Sequence, residues 1–115
     1  MYLSPEAVDS TFRFISDVSK TGSLVVFDYV HAGVIRGENR YFGEKGAASR
    51  VAKLGEAWTF ALEEKEVDNF LGKYNIQLQD HCRTQDLEDR YFKNSKGVLV
   101  GKINATHAIV TGVKN

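Results

Sequence analysis

The sequence predicts an α/β fold: part of a wound sheet with helices on its faces. Three observations predict it. First, Leu24, Val25, Val26, Phe27 and Tyr29 form an apolar run without alternation. A strand apolar on both sides is usually covered on both sides, as inside a parallel α/β sheet. Second, residues 4–19 read as a helix placed just before that strand. Third, residues 63–74 and 76–82 read as a second helix followed by a second strand.

The first helix has a strong start. Ser4 accepts a bond from an orphan backbone amide, Pro5 suits the first helical position, and Glu6 faces the positive helix end. Val8, Phe12, Ile15 and Ser19 line one face, widened by Thr11, Phe14 and Val18. Such a broad stripe suits a helix lying on a sheet. Gly22 suits the left-handed turn that ends it.

Residues 31–57 are the least regular stretch, with a helix predicted near 47–54 and ending at Gly55. Its excess of arginine and lysine reads as a solvated face; the sharper alternative is a mobile cover over a ligand crevice. Residues 58–61 suggest a short strand. Residues 63–74 suggest a helix with an acidic first turn and an apolar face of Val67, Phe70, Leu71 and Tyr74, capped by Asn75. Residues 76–82 alternate, with Ile76, Leu78 and Asp80 assigned to one side, as on a strand covered on one face. Thr84 is read as the cap of a helix reaching Tyr91 and Phe92, residues 94–97 as a turn, and 107–113 as the last strand.

Composition narrows the function classes. The 115 residues suit one domain, 1–115. Fifteen basic side chains meet fifteen acidic ones, so there is no charge footprint for nucleic acid or an anionic membrane. No apolar run approaches the ~20 residues of a membrane-spanning helix. The first residues lack the basic and apolar regions of a signal peptide, and Cys82 is the only cysteine, which together suit a cytoplasmic protein. His81, Cys82 and His107 lack the spacing of a metal site. Cys82 reads as a small core residue rather than a nucleophile.

Several stretches resemble a known family. They are Tyr2-Leu3-Ser4-Pro5-Glu6-Ala7-Val8, Gly22-Ser23 leading into Val26-Phe27-Asp28-Tyr29-Val30, and Gly55-Glu56-Ala57-Trp58-Thr59-Phe60-Ala61-Leu62. Together with Asp86-Leu87-Glu88-Asp89-Arg90-Tyr91-Phe92 between the last two strands, they resemble the S-adenosylmethionine-dependent methyltransferases of the leucine carboxyl methyltransferase and polyketide O-methyltransferase type. The resemblance covers the carboxyl-terminal half of that family's pattern. It implies half of a three-layer Rossmann-like methyltransferase fold, with a mixed sheet of three to four strands. It also implies that the last strand lies antiparallel between 23–30 and 76–81, leaving the other edge of 23–30 exposed.

The resemblance places the family's S-adenosylmethionine site in an amino-terminal half that this chain lacks, so Met1 falls inside a family segment. The chain has no G-x-G-x-x-G, and Gly43-Glu44-Lys45-Gly46 lacks a preceding strand. The expectation is a fragment of an O-methyltransferase that neither binds cofactor nor turns over alone. The alternatives are half of a split enzyme, or a non-catalytic interaction domain. The expected partner is a second copy, joined through the exposed sheet edge or the first helix, or a separate amino-terminal half.

Four residues are candidates for the methyl-acceptor site. The resemblance puts Tyr2 and the Asp28-Tyr29 strand end near the acceptor, and strand-end geometry favours the same place. Asp28 or His31 would serve as base. Each also has a plainer reading: Tyr29 as core, Asp28 as the cap of a following turn, His31 as a loop histidine.

Overall fold

A computed structural model describes residues 1–115. The elements run α1 (Pro5–Val18), β1 (Leu24–Val30), α2 (Ala32–Ile35), α3 (Ala47–Lys53), a 3₁₀ turn (Glu64–Glu66), α4 (Val67–Gly72), β2 (Ile76–Cys82), α5 (Thr84–Tyr91) and β3 (His107–Lys114). The α/β class is as expected. The sheet has three strands in the order β1-β3-β2, with the last strand in the centre. Both pairings are antiparallel, which corrects the expectation of a mixed sheet.

The start of α1 forms as its sequence dictates: Ser4 Oγ accepts from the Ala7 amide, and Pro5 opens the helix. Gly22 turns the chain at φ +86°, where a side chain would be strained. The helix expected over 63–74 divides into a 3₁₀ turn and the short α4, and Asn75 follows in the left-handed region. Residues 58–61 form no strand; only Leu62 bridges to His31. The first helical residue of α5 is Thr84, and the side chain of Asp86 reaches back to accept from the Arg83 amide.

The core lies on one face of the sheet. Val8 and Phe12 of α1 and Phe70 and Leu71 of α4 pack with Tyr29, Ile76, Ala108 and Val110 of the strands. Phe12 meets Phe27 edge-on at 5.1 Å and Phe70 at 4.9 Å. Such contacts add about 1 kcal/mol each beyond the area they bury. Tyr74 stitches α1 alongside: its hydroxyl donates to Asp9, and its carbonyl accepts from Ser16.

The expectation that β1 is covered on both faces is not met. Its odd-numbered side chains reach toward the core, while Leu24 and Val26 are 62% and 63% exposed. β1 is a sheet edge with one apolar face open. An unbroken apolar run tells of two greasy faces but not of what covers them.

β2 departs from its expected alternation through a bulge between Leu78 and Asp80. Asp80 moves off the face of Ile76 and Leu78. His81 comes level with Val110 on the core-side face, and Cys82 lies level with Ile109 on the other.

Candidate functional site

The groups able to do chemistry gather beyond the carboxyl end of β1. Tyr29 is buried, and its hydroxyl is hydrogen-bonded to Nε2 of His81 at 2.9 Å. His31 is also buried, at the mouth of the short α2. Its ring stacks on Tyr41 with centroids 4.5 Å apart and planes 4° from parallel, and it meets Tyr29 edge-on. Nδ1 of His31 is buried without a hydrogen-bond partner.

A cleft of about 280 Å³ opens here, bordered by His31, Tyr41, Glu64, Arg83, Thr84 and Gln85. Arg83 and Glu64 form an ion pair on its rim, each about half exposed. Tyr41 is held by a loop built on Glu44. The buried Glu44 carboxylate accepts from the amides of Asn39, Arg40 and Tyr41 at 2.8, 2.8 and 3.0 Å.

Burial sets the charge state of this cluster. Desolvation lowers the proton affinity of His31 and of His81, so both rings are neutral at neutral pH. Burial raises the Tyr29 phenol well above its ordinary range, so it stays protonated. The site therefore offers a neutral imidazole, a phenol, and one cationic and one anionic side chain at a half-open cleft. It can position a small polar molecule and accept a proton from it.

The four sequence candidates do not form one constellation. Tyr29 and His31 come together. Asp28 points to the opposite, exposed face of β1, level with Ile109, and caps no turn. Tyr2 is 54% exposed and borders a different cleft, with Gly55, Glu56 and Ala57. His31 is a buried stacked ring and not a plain loop histidine. Sequence reasoning missed Tyr41, Glu64 and Arg83, which have no local signature, and it weighed His81 only beside Cys82. The one usable signal was the placement of three histidines at strand ends.

Glu44, between Gly43 and Lys45, turns its carboxylate back onto the amides of Asn39, Arg40 and Tyr41, so this glycine-flanked segment closes a loop of the chain itself. No group of three or more His, Cys, Asp or Glu side chains is arranged to hold a metal ion. No helix is long and apolar enough to cross a membrane. No family model, curated protein or solved structure matches the chain.

Proposed function

We propose that this chain is the carboxyl-terminal, acceptor-side portion of an O-methyltransferase of the leucine carboxyl methyltransferase type. The observation that carries this reading is the sheet. β3 lies antiparallel between β1 and β2, the order the resemblance implies for its last three strands. The unpartnered edge of β1, with Leu24 and Val26 open beside it, is where a further strand would extend that sheet.

In this reading the acceptor sits in the cleft at His31. The neutral imidazole receives the proton of an acceptor hydroxyl, Tyr41 gives a flat wall, and Arg83 orients an anionic group. In this reading the methyl donor is held by the amino-terminal half of the family's fold, and these 115 residues supply the acceptor side.

The test is a chimera. The chain is fused behind the amino-terminal half of a methyltransferase of this type, and S-adenosylmethionine binding is measured by calorimetry. Binding by the chimera and none by the 115 residues alone is expected. A folded chimera that binds no cofactor, or micromolar binding by the isolated chain, overturns the reading.

A further inference from the structure

The free edge of β1 is short and its polarity can be worked out. The His31 amide donates to Thr106 of the β3 side, and the Lys114 amide donates to Ser23. Odd-numbered residues of β1 therefore turn their backbone groups toward β3, since antiparallel ladders alternate. Even-numbered residues turn theirs outward. The Val30 carbonyl agrees with this: it accepts from the Leu62 amide, outside the sheet. That contact closes the upper end. What remains open is the backbone of Leu24, Val26 and Asp28.

Three outward residues with Val26 in the middle form a self-complementary edge. Set antiparallel about a twofold axis at Val26, two copies pair Val26 with Val26 and Leu24 with Asp28. Every outward amide and carbonyl in that stretch then finds a partner. Symmetry favours this direction: an edge paired with itself keeps both core-side faces on one side of the joined sheet only in the antiparallel arrangement, which sets Asp28 beside Leu24.

The first helix adds to the same edge. Asp9 and Ser16 of α1 face Tyr74, at the end of α4. α4 packs on β2, at the far side of the sheet. By helical spacing Phe14 and Val18 lie on the side of α1 away from Tyr74, toward the β1 edge. They are 65% and 60% exposed. Pairing of two copies would bring Phe14 and Val18 of both helices toward the axis on the core side, while on the other face Val26 lies beside its counterpart.

We propose that two copies of this chain pair antiparallel through β1, forming one six-stranded sheet with α1 packed across the axis. The inference goes beyond the methyltransferase reading, and either can fail without the other. A second copy takes the edge when the chain is alone in solution.

The test is sedimentation equilibrium at ~0.1 mM, where a weak dimer is well populated. A dimer is expected for the native chain and a monomer for Val26→Lys, which sets two cations together on the axis. Val26 is exposed on the open face, so the far-ultraviolet circular dichroism of Val26→Lys should match the native spectrum. Val26→Pro is a second probe. It deletes an outward amide only, so it too should give a folded monomer. On oxidation, Val26→Cys should form a disulfide-linked dimer. A monomeric native chain, a dimer that survives Val26→Lys, or co-purification with a different polypeptide on this edge overturns the proposal.

Discussion

Tyr29 and His81 are hydrogen-bonded across the full width of a strand, although β3 separates the strands that carry them. The phenol is long enough to pass over the central strand, and the bulge after Leu78 turns His81 to meet it. The pair thus ties both outer strands at the end where the cleft opens. Tyr29→Phe leaves Nε2 of His81 without its partner. The expected loss is about 1–2 kcal/mol of stability, read from urea denaturation. A variant as stable as the native chain would show that the bond is not formed.

Acid should weaken the fold in a defined window. Burial lowers the proton affinity of His31, His81 and His107 in the folded state. The unfolded chain then binds protons first as pH falls. The stability these rings contribute is complete above about pH 6.5, the unfolded value, and is lost as pH drops below it toward the folded values. The melting temperature should fall between pH 7 and pH 5. Glu6, Asp9 and Glu38 have lowered carboxyl values instead, so their contribution fades only below about pH 4.5. A melting temperature flat from pH 7 to 5 would contradict the burial of the three rings.

Two glycine-to-alanine changes should have opposite signs. A Cβ at Gly112 in the central strand would lie 2.5 Å from Cγ2 of Ile76, which is itself 2% exposed and cannot move aside. Gly112→Ala should cost about 1–3 kcal/mol through overpacking. Gly72, at the end of α4, has open space around its Cβ position. Gly72→Ala should stabilise by about 0.4–1 kcal/mol by narrowing the unfolded ensemble. Thermal denaturation of the two variants side by side checks both.

Glu44→Ala removes the acceptor of three backbone amides at a position 3% exposed. Hydrogen bonds to a charged acceptor are worth about 1.5–3 kcal/mol each, so the loop cannot keep its shape without it. Amide hydrogen exchange at Asn39, Arg40 and Tyr41 should rise more than tenfold while that of β3 changes little. Unchanged exchange at those amides would mean that Glu44 does not organise the loop supporting Tyr41.

Much of the fold is legible along the chain. Ser4, Pro5 and the stripe of Val8 and Phe12 mark α1, and the alternation from Ile76 marks the start of β2, because short-range hydrogen bonding and period decide them. The site is much less legible. Tyr29 and His31 stand out by their place at a strand end, but Tyr41 reaches His31 from a loop with no periodic pattern. Arg83 and Glu64 meet only because α5 and the 3₁₀ turn pack near one another.

Local patterning therefore settles where helices and strands begin, since each depends on neighbours a few residues away. Two things needed the packed chain: the open face beside Val26, and the bulge that brings His81 to Tyr29. Each depends on contacts between segments distant in sequence, and an apolar run such as Leu24 to Phe27 reads the same whether its second face meets protein or water.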